Sequence, residues 1–273
     1  MKKFIVLSVL CVLVSCSPKT FTVIQVADAQ LGFDAAVKGS KPGATYVNDL
    51  TYEMEYLTKV VEKLNEMKPD VVVFTGDQVH LPKDPEQKDS FNKIVSQIDR
   101  SIKVFYLPGN HDVSFGEGSV DSTPFTDVYS ADRFVYSFRG ITLLGVNSNL
   151  IMFGDPTEAE QKEWMENELS KGRSEDVKLV FGHHPFFVND IEEEDSYHQI
   201  PKAKRADYFN MFAENGVDAI YAGHLHESAS GEYKGIPMRT TTSSAYQLGE
   251  SKPSIRLITI KNAKTIIDEL LVL

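Results

Sequence analysis

From Phe21 onward the chain alternates short runs rich in Val, Ile and Phe with stretches of helical periodicity, and five of those runs stop on residue types that bind metal. The runs cover 21–27, 71–75, 104–107, 179–181 and 219–222. They are followed by Asp28-Ala29-Gln30, Gly76-Asp77-Gln78, Gly109-Asn110-His111-Asp112, Gly182-His183-His184 and Gly223-His224-Leu225-His226. Alternating β and α patterns with no Pro/Gly/Ser linker between them predict one α/β domain over residues 21–273. In open α/β sheets ligands bind beyond the carboxyl ends of the strands, so clusters this far apart in sequence should meet in one crevice.

A sixth strand is expected at 141–146. Between the first two strands, Leu50, Met54, Leu57, Val61 and Leu64 share one helical face, and Pro69 ends that helix. A second helix should open at Thr157 with Glu160 as its capping-box partner, and a third should run over 205–215 before Gly216. The segments 232–242, 254–260 and 265–273 are β-rich with no helix between them, which predicts a second, more antiparallel sheet completing a sandwich. One long polar insertion remains, at 189–202. Its Glu192–Asp195 run reads as a solvated face, with a lid carrying Tyr197 or His198 over the crevice as the alternative. Phe186 and Phe187 are expected to pack, and Asn147 receives no role.

Lys and Arg total 28 against 39 Asp and Glu, a formal charge of −11 that repels phosphate backbones and excludes long nucleic acids as partners. Small phosphorylated ligands remain admissible if something local reverses the sign. Met1-Lys2-Lys3 precedes an apolar run at 4–14, too short to cross ~30 Å of hydrocarbon, and the run closes on Leu13-Val14-Ser15-Cys16. That ending resembles the lipobox of bacterial lipoproteins. It implies a signal over 1–15, a lipidated Cys16, a tether over 16–20 and membrane attachment in a bacterial envelope, facing periplasm or exterior. An ordinary secretory signal with an incidental cysteine is the plainer alternative. The other cysteine, Cys11, falls inside the signal, so no internal disulfide is expected.

Of 7 histidines, five lie in three of the strand-end clusters. Alone, each would read as a satisfied core residue, and each aspartate as a helix cap. Massed at one edge, imidazoles and carboxylates need a cation to offset their desolvation. Two divalent ions roughly 3.5–4 Å apart require a bridging carboxylate with nitrogen and oxygen ligands on either side, and Asp77 is the natural bridge. Glycine before Asp77, Asn110, His183 and His224 permits a sharp turn and close backbone approach. His224 and His226 would share a face on an extended segment, whereas a turn could aim them at different ions.

These residues resemble the calcineurin-like metallophosphoesterase superfamily, whose motifs run DxH, GDxx, GNHD/E, GHxP and GHxH. The DxQ form of the first motif, GDxxH in the second, the acidic insertion after the fourth and the Ser-Ser-Ala…Gln-Leu-Gly stretch at 243–249 resemble a branch of serine/threonine phosphatase type. The resemblance implies a four-layer αββα sandwich, two mixed β-sheets flanked by helices, with a binuclear centre. By position, Asp28, Gln30 and His226 would hold the first ion, Asp77 would bridge, and Asn110, His183 and His224 would hold the second. His111 would act as general acid or electrostatic stabiliser with Asp112 fixing its tautomer, and Asn110 would also orient phosphate. His80 and His184 are candidate substrate contacts, with a structural role for His80, and loop packing or ligand support for His184, the equal alternatives. The ions would be Mn, Fe, Zn or Mg. Gln30 replaces the commoner histidine with a harder, weaker donor, which favours Mn, Mg or iron over zinc. The implied reaction is hydrolysis of phosphate monoesters, small or on a phosphopeptide, by a metal-bridging hydroxide. A phosphodiesterase acting on nucleotides or glycerophosphodiesters is the runner-up. A non-catalytic lipoprotein that binds phosphate ligands is the reading from another class, and intact His111 argues against it. No oligomeric state is predicted.

Overall fold

The structure, a computed structural model, describes residues 20–173 and 175–273. The signal expected over 1–15, Cys16 and all of the tether but Thr20 lie outside the described residues. Thr20 itself opens the first strand and pairs with Lys261.

In chain order the first half runs β1 (Thr20–Val26), α1 (Phe33–Gly39), α2 (Thr51–Met67), β2 (Val71–Thr75), α3 (Pro85–Val95), β3 (Lys103–Leu107), the hairpin β4 (Ser114–Gly116) and β5 (Ser119–Asp121), α4 (Thr123–Tyr129) and β6 (Phe134–Phe138). The second half runs β7 (Ile141–Gly145), α5 (Ser148–Phe153), α6 (Glu158–Ser170), β8 (Val177–Phe181), α7 (Lys202–Glu214), β9 (Ala219–Ala222), β10 (Ser230–Tyr233), β11 (Ile236–Thr240), β12 (Ser254–Lys261) and β13 (Thr265–Val272).

One sheet has the order β13-β12-β1-β2-β3 and the other β10-β11-β9-β8-β7-β6. Three apolar layers hold them together, and the period-2 alternation of the strands assigns each side chain to a layer. Val71 and Val73 face the other sheet with Leu179, Phe181 and Tyr221, whereas Val72 and Phe74 pack outward with Leu57, Val61 and Phe91 of α2 and α3. On the far side Val180, Ile220 and Ala222 meet Met165, Leu169, Phe209 and Phe212 of α6 and α7. Three cores between four layers make the expected αββα sandwich. Phe186 and Phe187 lie in the outer core.

The last strands depart from expectation. They do not form a sheet of their own: β10 and β11 extend one sheet beside β9, and β12 and β13 extend the other beside β1. Each hairpin buries one face on an existing core, which a free-standing sheet of four short strands could not do. Thr157 precedes α6 as expected, yet no capping box forms. Its hydroxyl and N–H both donate to Asp155 Oδ1 instead. The third helix starts at Lys202 rather than near 205, with Pro201 in extended conformation as its N-cap. α2 stops two residues before Pro69 with Lys68 in the left-handed region, its N–H returned to Leu64 O. No described helix is long and apolar enough to cross a membrane.

Candidate metal centre

The strands β1, β2 and β3 of one sheet and β8 and β9 of the other end at one edge, and the loops beyond them bring the five motifs together. Asp28 N donates to Gly76 O, Gln30 N to Asp77 O and His80 N to Leu31 O, which zips the first motif to the second. His111 N donates to Asp77 Oδ1 at 2.9 Å, and His224 N donates to Asp28 Oδ2 at 3.0 Å. Close approach is made possible by missing Cβ atoms. One on Gly109 would lie 2.0 Å from Asp77 Oδ1, and one on Gly223 would lie 2.6 Å from Asp28 Oδ2. Gly182 departs from the expectation: a Cβ there would make ordinary contact with Ser148 at 3.4 Å. The turns also strain the candidate ligands themselves. Asp28, Gln30, Asp77, His224 and His226 all have φ between 37° and 73°, conformations that bulky side chains adopt only under constraint.

The imidazoles of His183, His224 and His226 each commit one nitrogen to a backbone carbonyl. A carbonyl oxygen only accepts, so the proton must sit on the nitrogen that faces it. His183 Nδ1 donates to Thr75 O at 3.0 Å, His224 Nε2 to Tyr197 O at 3.1 Å, and His226 Nδ1 to Tyr246 O at 2.6 Å. Their other nitrogens are left with lone pairs turned inward. His183 Nε2 faces His224 Nδ1 at 3.2 Å, Asn110 Oδ1 at 3.0 Å and Asp77 Oδ2 at 3.5 Å. The Asn110 amide donates its Nδ2–H to the Tyr197 hydroxyl at 2.9 Å, so its oxygen too is turned inward. Four electron-pair donors thus converge with no proton among them. This is the arrangement that a cation satisfies. Nearby, His226 Nε2 lies 3.7 Å from Asp28 Oδ1, and the buried Gln30 Oε1 has no hydrogen-bond partner. Asp28, Asp77 and His183 also offer ligand atoms within 4.8 Å of one another.

Electrostatics agree. Burial, reinforced by the neighbouring Asp77, holds the Asp28 carboxyl well above the usual range. Burial also opposes ionisation of Asp77, but His183, His111 and the His111 N–H outweigh it and hold this carboxyl below its ordinary value. Burial pushes His183 and His226 down, and takes His224 down to about 3, so all three rings are neutral and able to ligate.

The sequence pattern of calcineurin-like phosphoesterases matches residues 43–228, more than half of the chain. The chain belongs to this family. It is 26% identical over 257 residues to the mouse serine/threonine-protein phosphatase CPPED1, an alignment covering 90% of this chain and 82% of that protein. It is 28% identical over 185 residues, 66% of this chain and 65% of the relative, to an Arcobacter nitrofigilis protein named as a probable glycerophosphodiester phosphodiesterase. A zebrafish dimetal phosphatase of known structure shares the fold with a TM-score of 0.60 and 13% identity, covering 91% of this chain and 98% of its own.

The fold of this phosphoesterase brings Asp28, Gln30, Asp77, Asn110, His183, His224 and His226 to one crevice. The structure corrects the role of Asp112. Its carboxylate does not touch the His111 ring. It accepts N–H groups from Gly109 at 2.8 Å, Gln78 at 3.0 Å and Val79 at 3.3 Å, clamping the second and third motif loops together. The His111 tautomer is fixed instead by His80 O, 2.9 Å from Nδ1. The His80 ring stacks on His111 with centroids 4.7 Å apart, and burial takes its pKa down to about 4. The Ser148 hydroxyl accepts N–H groups from His183 and His184, so its own proton goes to His184 Nδ1 at 3.2 Å. His184 therefore carries its hydrogen on Nε2, a buried donor with no partner.

Several supporting groups escaped the sequence reading. Ser243 Oγ donates to Asp28 O at 2.7 Å, and Tyr246 supplies the carbonyl for His226, so the stretch at 243–249 positions two candidate ligands. Asn147 caps α5 and orients Asn149, whose amide donates to Pro108 O and Gly109 O beneath the third motif. Glu193 does not join a solvated face: its carboxylate accepts N–H groups from Val188, Asn189 and Asp190.

Proposed function

We propose that this calcineurin-like phosphoesterase is a phosphomonoesterase whose two divalent ions are held by Asp28, Gln30 and His226 on one side and by Asn110, His183 and His224 on the other, with Asp77 shared. The observation that carries this reading is the pair of opposed lone pairs on His183 and His224, 3.2 Å apart with both ring protons spent on carbonyls. Bound ions of this kind supply Lewis acidity toward a phosphoryl oxygen and acidify a water at neutral pH.

The chain's own residues do the rest. Asp77 and the three histidines are pre-oriented by backbone partners and Asn110 by the Tyr197 hydroxyl, so little reorganisation accompanies binding. His111, held through Nδ1 by His80 O, presents Nε2 as its working nitrogen. When protonated there, it donates to the leaving oxygen of the ester. The unpaired Nε2–H of His184 and the His80 ring are the remaining candidates for substrate contact. An acidic protein with a locally positive crevice favours small esters or basic phosphopeptides over polyanions.

The deciding experiment compares p-nitrophenyl phosphate, its bis ester and a phosphoserine peptide with metal-stripped protein reloaded with Mn²⁺ or Fe²⁺. Preference for the monoester supports the reading. Preference for the diester moves it to the glycerophosphodiester-type activity named for the Arcobacter relative, and phosphate binding without turnover moves it to a binding lipoprotein. Anchoring through Cys16 is part of the proposal, and Cys16→Ser should shift the protein from the membrane to the soluble fraction.

A further inference from the structure

Up to Pro201, the residue before α7, the insertion at 189–202 is neither helix nor strand, yet it is tied down on both sides. The fully buried Arg205 donates Nε–H to Ile200 O at 2.8 Å and Nη1–H to Ile191 O at 2.9 Å and Glu193 O at 2.6 Å. Glu193 gathers three N–H groups at its start, and Lys202 N donates to Asp195 at 2.6 Å at its end. Held this way, the segment places one residue against two candidate ligands of the same ion. The Tyr197 hydroxyl accepts the Asn110 amide N–H, the Tyr197 carbonyl accepts His224 Nε2–H, and the ring lies 5.1 Å from the His224 ring.

We propose that the 189–202 segment is a fixed strap and Tyr197 a positioning residue that builds the donor set of the second ion. An asparagine amide can present either its oxygen or its NH₂ to the centre, and only the oxygen can ligate. In the structure the Tyr197 hydroxyl takes the NH₂, which leaves the oxygen turned to the centre. The Tyr197 carbonyl does the same for His224, because a proton held on Nε2 leaves Nδ1 free to ligate. Sequence position hides the link: Tyr197 lies 87 residues from Asn110. This inference rests on the metal-centre reading above.

The test is calorimetric titration of Mn²⁺ into metal-free protein. Tyr197→Phe removes the hydroxyl alone and keeps the ring and the carbonyl. Tyr197 is more than half exposed, so the variant should fold and unfold as wild type does without metal. Its Mn²⁺ affinity should fall by about 10–100-fold in one binding event and stay unchanged in the other. In an Asn110→Ala background the same change should have no further effect, because the amide it orients is gone. Wild-type Mn²⁺ binding by Tyr197→Phe, equal weakening of both events, or full additivity with Asn110→Ala would overturn the strap. A wild-type protein that takes up no Mn²⁺ would instead overturn the metal centre, and the strap with it.

Discussion

Replacing Asp112 with asparagine separates two roles that its position beside His111 allows. In the structure the carboxylate accepts N–H groups from Gly109, Gln78 and Val79, at 2.8, 3.0 and 3.3 Å. Asparagine keeps the shape but turns one oxygen into NH₂, which cannot accept. Either the Gly109 N–H or the Gln78 and Val79 pair then faces a donor. A buried donor left unpaired costs ~1–3 kcal/mol, and the surviving bonds drop from charged to neutral strength, roughly another 1 kcal/mol. Burial and the nearby Asp77 raise the Asp112 carboxyl, so removing its charge returns part of that loss. The net expectation for metal-free protein is a destabilisation of about 2–3 kcal/mol, seen as a lower urea midpoint at unchanged m. Hydrolysis should slow by the same factor whether His111 is present or replaced by alanine, since the carboxylate does not touch that ring. Stability within about 0.5 kcal/mol of wild type, with a rate loss that vanishes in the His111→Ala background, would refute the clamp and return Asp112 to the tautomer role.

Three further outcomes are expected. Asp77→Ala should lose both activity and bound metal by elemental analysis, whereas His111→Ala should keep its metal and lose roughly 10²-fold in rate; equal activity in the His111 variant would remove that residue from the mechanism. Gln30→His should raise metal occupancy and shift preference toward zinc, because imidazole is the softer donor; unchanged occupancy and preference would contradict the weak-donor account of Gln30. Mn²⁺ affinity should fall as pH is lowered, since burial and Asp77 raise the Asp28 carboxyl, and a raised pKa keeps the metal-free group protonated to higher pH while the ion needs it ionised. Below that pKa the loss approaches about tenfold per pH unit for one displaced proton, and a flat affinity from pH 8 to 5 would be the contrary result.

Much of this was legible in the sequence because the informative strands are short and mostly apolar, with β2, β8 and β9 buried on both faces. Val71–Thr75 and Ala219–Ala222 appear with the expected limits. The ligand types were legible because they sit directly after such strands. Other features carry no side-chain signal. The carbonyls of Thr75, His80, Tyr197 and Tyr246 set the histidine tautomers, and any residue has a carbonyl. Asp112 follows a histidine in the chain, yet its carboxylate turns toward backbone N–H groups of its own loop and of the second motif. The partners of β11 and β12 depend on contacts distant in sequence, β11 on β9 and β12 on β1. α1, α4 and α5, at 7, 7 and 6 residues, are too short for helical periodicity to show.

Anomalous diffraction at the manganese edge, from crystals grown with Mn²⁺, tests the central claim most directly. Two peaks are predicted, one among Asp28, Gln30 and His226 and the other among Asn110, His183 and His224, with Asp77 reaching both. No peak between His183 and His224, or ions bound only at surface carboxylates, would contradict it.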